Sequence, residues 1–292
     1  MFTKNIIKNI IKRARTKKEN SILMKRFVDY SNLFFNSEIT LYPKLLTDIQ
    51  WNRILVLTPH ADDETFGAGG FIYAAVAKNK KVKVILYSDN SESVTARPKG
   101  GSIPPLMNSK KVGSSTGGRA KSDENIIQLR SAEFCKAMSI IGVTEKEELK
   151  ISPSSFILSR ELIERTKNIV SNFSPDLILL PSFIDNHEEH KILNRVLANS
   201  LDLNFKMDIM LFEVWTPISP NIIIKINDEM NKKTEAIKCY ASQLDYINYE
   251  SSIKGLNRYR SIYHFQGNEF CEAFMLLSSK QYIDIVTKFY GK

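Results

Sequence analysis

From Trp51 onward the chain alternates short apolar segments with longer amphipathic or alanine-rich ones, and this restricts the fold more than any other feature. Residues 53–59 (RILVLTP), 81–88 (KVKVILYS), 176–181 (DLILLP), 209–215 and 221–226 read as strands. Residues 66–80, 122–142, 159–173, 188–201 and 229–244 read as helices. The strand segments are near-continuous apolar runs instead of alternating ones. Such runs belong to strands buried on both faces, so an α/β fold is expected, with a parallel sheet covered by helices on each side. The last 50 residues carry a weaker pattern, and residues 1–50 form an appended extension ahead of a domain at 51–292.

Charge sharpens this division. The chain of 292 residues has 41 Lys+Arg against 32 Asp+Glu. Nine of the basic residues and a single acid, Glu19, lie in residues 1–26, while the remainder carries 32 basic and 31 acidic residues. The body is therefore near neutrality, which does not support a basic face for nucleic acid. In the arm, Ile6, Ile7, Ile10 and Ile11 recur at helical spacing between Lys4, Lys8, Lys12 and Arg13. This pattern suits a helix lying on an anionic membrane surface; a solvated arm, or a helix packed on its own domain, suits it too. Lysines interrupt the apolar stretch, so it is no secretory signal. No run approaches the roughly 18–20 apolar residues of a membrane span. Cys135, Cys239 and Cys271 form no CxxC pair, which points to a reducing, cytoplasmic setting, with contact at the inner face of the membrane if the arm binds lipid.

In a parallel sheet, ligands bind at the carboxyl ends of strands. The reactive side chains gather there. After the first strand stands His60-Ala61-Asp62-Asp63-Glu64, and after the third stands Asp185-Asn186-His187-Glu188-Glu189-His190. Three of the four histidines in the chain lie in these two segments. His60 with Asp63, and His187 with His190, are three apart, a spacing that places two side chains on one helical face. Imidazoles with a carboxylate form a donor set suited to zinc, leaving a position for water. Spacing alone does not say which of His187 and His190 is the ligand. The glycines of Gly67-Ala68-Gly69-Gly70 follow the acids and do not form GxGxxG; close helix–sheet packing is their expected role, not dinucleotide binding. Residues 89–121 are rich in Ser, Gly, Lys and Pro. A stretch of that length beside a strand end is expected to be a lid.

These residues resemble the PIG-L/LmbE-like N-acetylglucosaminyl deacetylases. RILVLTPHADDETFGAGG is similar to that family's strand, H-P-D-D-E and Gly-rich helix start. Asn186-His187-Glu188-Glu189-His190 is similar to its D/N-H-x-x-H. Arg130-Ser-Ala-Glu133 with Ile141-Gly142-Val143, Lys238-Cys-Tyr-Ala-Ser242-Gln243, and Glu272-Ala-Phe274 are supporting matches, so the resemblance runs from about residue 51 to 278. Ala61 stands for the usual proline, Ser88-Asp89-Asn90 for a common T-D-G, and Tyr240 for a frequent histidine.

The resemblance implies a Rossmann-like three-layer sandwich with a mostly parallel sheet. It also implies a zinc-dependent hydrolase that removes acetyl from the 2-amino group of a glucosamine-type sugar or conjugate. Zinc would be held by His60, Asp63 and His190. Asp62 would be the general base. His187, as a fixed imidazolium oriented by Asp185 or a backbone carbonyl, would assist the oxyanion and the leaving amine. Arg119 and Asp89 are candidate contacts to substrate. An amidase acting on a non-acetyl sugar conjugate would use the same site, and a membrane-associated relic without catalysis is the remaining alternative.

Overall fold

The computed structural model describes residue 21 and residues 42–93, 119–202 and 206–291, with backbone alone for 119–123. The basic arm and residues 94–118, most of the expected lid, lie outside the described residues.

Eight strands form one sheet: β1 (Lys44–Leu46), β2 (Arg53–Thr58), β3 (Lys81–Ser88), β4 (Glu145–Ile151), β5 (Leu177–Pro181), β6 (Asp208–Phe212), β7 (Ile222–Lys225) and β8 (Cys271–Ser278). Their order is β1-β7-β8-β6-β5-β2-β3-β4. Every pairing is parallel except the two made by β8. The helices are α1 (Asp63–Ala77), α2 (Arg119–Ile141), α3 (Arg160–Phe173), α4 (Glu188–Ser200), α5 (Met230–Ile237), α6 (Ala241–Leu244), α7 (Tyr249–Arg260), α8 (Ile262–Phe265) and α9 (Ser279–Tyr290).

Alternation along β2 divides the core. Ile54 and Val56 point into one apolar layer with Phe71, Phe134 and Ile237 from α1, α2 and α5. Leu55 and Leu57 point into the other, with Leu162, Leu193 and Ile285 from α3, α4 and α9. Two layers of helices enclosing a sheet of short Val/Ile/Leu strands make the three-layer α/β sandwich, and no helix among the described residues is long and apolar enough to cross a membrane.

Three parts differ from the sequence reading. Residues 145–151 (EKEELKI) form the edge strand β4, whose glutamates and lysines hide its strand character; charge is how an exposed edge avoids pairing with another chain. Lys44–Leu46, within the segment read as extension, adds a strand beside β7. The helix expected over 229–244 stops at Ile237 and resumes at Ala241, because Tyr240 takes a non-helical backbone (φ −84, ψ 52) and turns inward.

The topology fixes where chemistry can occur. β2 lies between β3 and β5. The chain leaves β2 towards β3 on one side and later returns to β5 on the other, so a crevice opens above the adjacent ends of β2 and β5. The glycines of α1 allow that helix to sit close over the sheet. A Cβ on Gly67 would fall 2.2 Å from the Phe212 ring and one on Gly70 2.8 Å from Ile226. The buried N–H groups of Gly70 and Phe71 each donate to Glu272 on β8 at 2.8 Å, and Glu272 is charge-paired in the core with Lys233 at 2.6 Å. The Gly-rich segment is thus a packing device, as its position after the acids implies.

A candidate metal centre between two strand ends

The first motif occupies the turn from β2 into α1. Thr58 donates to the His60 carbonyl at 2.8 Å, and the Asn90 side chain accepts the Ala61 N–H at 3.0 Å. Asn90 itself is left-handed (φ 59), the conformation its side chain tolerates best among non-glycine residues. Asp62 carries a positive φ of 147, which is strained for a side-chain-bearing residue. It occupies the position that normally caps a helix, yet its carboxylate caps nothing. Instead it meets Arg130 of α2 at 2.7 Å. Arg130 also donates to the Ala61 carbonyl and pairs with Glu133 at 2.9 Å. Glu133 in turn accepts from the Ser242 N–H and hydroxyl, both at 2.8 Å. The R-x-x-E and S-Q segments therefore form one buried chain of contacts ending on Asp62. Tyr240, just before that serine, donates to Glu64 at 2.8 Å.

The second motif occupies the turn from β5 into α4. Asp185 is fully buried and accepts the N–H groups of His187 (3.0 Å), Trp215 (2.9 Å) and Thr216 (3.2 Å). Its remaining contact is with His190 Nδ1 at 3.4 Å, close enough for electrostatic pairing without the alignment of a hydrogen bond. His187 is the helix cap, and its Nδ1 accepts the Glu189 N–H at 3.3 Å.

The two turns meet. His60 Nδ1 and His190 Nε2 each lie 3.0 Å from Asp63 Oδ2, and 3.4 Å from one another. A tetrahedral cation with bonds of about 2.0–2.2 Å needs donor separations of roughly 3.3–3.5 Å. The triangle is slightly contracted from that, as expected of donors held together by hydrogen bonds. Its electrostatics also suit a cation. Burial would raise Asp63, but the charges and hydrogen bonds of His190 and His60 outweigh it and hold the carboxyl well below its usual range. Burial would lower His60, but Asp63 and Glu189 raise it to about 10. A buried carboxylate held ionised between two imidazoles stabilises positive charge placed where they converge, so the residues fit a divalent metal. His187 adjoins this triangle, its ring centroid 4.3 Å from that of His60 and 5.0 Å from that of His190. The three imidazoles also converge closely enough to hold a metal as a set.

Two expectations change. The surroundings of His187 disfavour a cationic ring. Burial and the neighbouring charges of His60 and His190 push it down to about 3, and its Nδ1 lone pair is occupied by a backbone N–H. Asp185 orients His190 and the backbone of His187, not the His187 ring. What remains on His187 is a neutral ring whose Nε2–H can donate. Asp62, by contrast, is pushed up to about 7 by burial, against the opposing charge of Arg130.

Glu189 is the residue that spacing did not single out. Its carboxylate reaches His60 Nε2 at 2.5 Å, so the ring presents Nδ1 to the Asp63 side. It sits one position before His190 on α4, and only a pairing between α4 and the β2 turn reveals its role. Among the substrate candidates, Asp89 accepts the Ser91 N–H at 2.9 Å and shapes its own turn. Arg119 begins α2, and its side chain lies outside the described residues. His264 donates to or accepts from nothing near this centre; it meets the Pro43 carbonyl at 2.7 Å. A cleft of about 690 Å³ lined by Trp51, Asp176, Lys206 and Asp208 opens at the starts of β2, β5 and β6, away from the histidines.

Solved structures share this architecture. An N,N'-diacetylchitobiose deacetylase from Pyrococcus horikoshii aligns with a TM-score of 0.60 at 18% identity, covering 87% of this chain and 93% of its own. The 4-carboxy-2-hydroxymuconate hydratase GalB from Pseudomonas putida KT2440 aligns at 0.59 and 18% identity, covering 77% and 95%. A zinc-inhibited form of the teicoplanin deacetylase Orf2 aligns at 0.57 and 15% identity, covering 77% and 98%. At these identities the likeness concerns the fold. The sequence itself carries the relationship further: the family model for PIG-L, GlcNAc-PI de-N-acetylase, matches residues 55–201 and so takes in most of β2, both histidine-bearing turns and the Arg130–Glu133 helix between them. With half its length and both strand-end motifs inside that match, the chain belongs to the PIG-L family.

Proposed function

We propose that this protein is a zinc-dependent N-deacetylase that hydrolyses the acetamide of an N-acetylglucosamine-type sugar or conjugate. The observation that carries the reading is the separation of two carboxylates at adjacent positions. Asp63 turns into the donor triangle with His60 and His190, while Asp62 stands outside it on a buried arginine.

His60, Asp63 and His190 would hold the metal. When bound, such a cation polarises a carbonyl and lowers the pKa of a water towards about 7. Asp62 accepts the proton of the attacking water, and its elevated pKa suits a group that must take up a proton near neutrality and release it again. Arg130 fixes the orientation of that carboxylate, leaving its other oxygen for the proton. His187 donates its Nε2–H to the oxygen that becomes negative as the carbonyl is attacked. Glu189 and Asp185 keep the His60 and His190 rings in place. The new C–O bond forms as the carbonyl π pair moves onto oxygen, and the C–N bond breaks as that pair returns to re-form the carbonyl. Asp62 passes its proton to the departing nitrogen, and the products are acetate and the free amino sugar.

A hydratase shares this fold, so the decisive experiment measures the bond broken. The purified chain, with and without added zinc, is assayed for acetate release from a panel of N-acetylhexosamine conjugates and from non-acetyl amides of the same sugars. Zinc-dependent acetate release supports the reading. Turnover of only the non-acetyl amides would reassign the chain as an amidase, and inactivity on every amide would set hydrolysis aside. Deleting residues 1–26 should leave turnover of a small soluble substrate intact, and vesicles of anionic lipid would show whether that arm binds membranes.

A further inference from the structure

The break between α5 and α6 falls at Tyr240, whose backbone turns its side chain into the core. That break brings two residues towards one guanidinium. The Tyr240 ring lies beside Arg130, its centroid 5.5 Å from Cζ, within the range of a cation–π contact. Two residues on, Ser242 gives its N–H and its hydroxyl to Glu133, the partner of Arg130 Nη1. Arg130 Nε has no hydrogen-bond partner among the described residues, so the aromatic face adds to what the carboxylates alone supply. Phe66 packs edge-on against the same ring at 5.9 Å and holds it there.

The hydroxyl of Tyr240 reaches the backbone side of Asp62. It donates to Glu64 Oε1 at 2.8 Å, and the Thr65 hydroxyl donates to the same oxygen at 2.8 Å. The second Glu64 oxygen accepts the Asp62 N–H at 3.4 Å. Glu64 is fully buried, and among the described residues its carboxylate meets hydroxyls and backbone but neither lysine nor arginine. A buried carboxylate without a cation costs stability, and an apolar pair of the same shape would pack at least as well. Packing therefore does not explain the Tyr240–Glu64 pair. Burial and the Glu64 charge hold the phenol well above its usual range, so the hydroxyl stays a donor.

Both sets of contacts end on Asp62. Its carboxylate is held by Arg130, and its strained backbone, with φ 147, is closed by Glu64. Strain of this kind persists only where the surroundings over-determine it. Resting on the reading of Asp62 as the base of a deacetylase, we propose that Tyr240 is the positioning residue of that base: its ring steadies Arg130 and its hydroxyl, through Glu64, holds the Asp62 backbone.

Tyr240→Phe keeps the ring and removes the hydroxyl, whereas Tyr240→Leu removes both contacts. Each is compared with wild type on the N-acetylhexosamine conjugate that wild type hydrolyses fastest. With zinc loaded, kcat should fall about tenfold in Tyr240→Phe and about 100-fold in Tyr240→Leu, with KM and bound zinc unchanged. A second readout needs no turnover. In the chain labelled with 15N-aspartate, the Asp62 amide is identified by its loss in Asp62→Asn, and the Asp185 amide of the other turn serves as the control. Tyr240→Phe should speed hydrogen exchange at Asp62 about tenfold and leave Asp185 as in wild type. A tyrosine that only stabilises the fold would speed both amides together or lower the zinc content, and either result overturns the proposal. So does an Asp62 amide that exchanges at the wild-type rate in Tyr240→Phe, or an unaltered kcat. If wild type releases acetate from no conjugate, the deacetylase reading fails, and the two exchange rates still decide whether Tyr240 holds Asp62 in place.

Discussion

The two turns that build this centre have the same plan and opposite wiring. Each leaves a central parallel strand, enters a helix and offers a side chain at the residue just before that helix. At the second turn this residue, His187, caps α4 in the ordinary way, with extended backbone (φ −71, ψ 131) and its Nδ1 accepting the Glu189 N–H. At the first turn the residue is Asp62, with strained backbone and no capping bond, although aspartate is a far better cap than histidine. The difference shows how a helix start can control protonation. Capping commits one ring nitrogen of His187 as an acceptor, which fixes the tautomer and keeps the ring neutral. Forgoing the cap frees the Asp62 carboxylate to meet Arg130 and to exchange a proton. On the proposed mechanism, stability is surrendered at the turn where a base is required and kept at the turn where a fixed donor is enough.

The largest break in this contrast is Asp62→Asn. Asparagine has nearly the same shape, tolerates the positive φ and can still meet Arg130, but it cannot take up a proton. Turnover should fall roughly 10²–10⁴-fold with bound zinc unchanged. Metal analysis beside steady-state rates checks it, and near-normal turnover would show that the proton goes elsewhere. At the other turn, His187→Asn removes the Nε2–H while leaving a capping oxygen. Turnover should fall about 10²–10³-fold, the scale of one lost oxyanion donor, again with zinc retained. Loss of zinc in this variant would move His187 into the ligand set in place of Asp63.

How much of this could be read in the chain follows from what each part depends on. His60, Asp62, Asp63, His187 and His190 were legible because they sit next to apolar runs whose strand character is local, and the carboxyl ends of parallel strands are where ligands bind. Their convergence is a property of strand order, since β2 and β5 become neighbours only when the sheet assembles. Glu189 and Arg130 were legible as motif members but not in their roles, because each acts on a residue more than 60 positions away. β4 was hidden by its edge charges. β8 lay in a stretch with weak local signals, yet its Glu272 reaches the interior of α1, a contact with no counterpart in local spacing.

A smaller effect sharpens the role of Glu189. Glu189→Gln keeps the reach to His60 Nε2 but removes the charge that raises the basicity of that ring. Zinc affinity should weaken by about 10–100-fold, as for other carboxylates behind a metal-binding histidine. Competition with a chelator of known affinity measures this directly. Unaltered affinity would mean that the 2.5 Å contact merely occupies the ring nitrogen in the absence of metal.

The smallest effect is on stability, and it separates the two helix starts without reference to activity. If His187 caps α4, His187→Ala should lower stability by about 1 kcal/mol, the usual worth of a cap, whereas His187→Asn should hold it near wild type because its side-chain oxygen accepts the same N–H. Asp62 makes no capping bond, so Asp62→Asn should cost no capping energy. Thermal or denaturant unfolding of the metal-free chain gives all three values and excludes differences in bound zinc. The comparison also tests the protonation argument. The Glu189 N–H that stabilises the helix is the one that occupies His187 Nδ1. A His187→Ala variant as stable as wild type would mean that this bond carries no weight, and Nδ1 would then be free to hold a proton. His187 would again be a candidate for a cation, and the two turns would differ in strain alone.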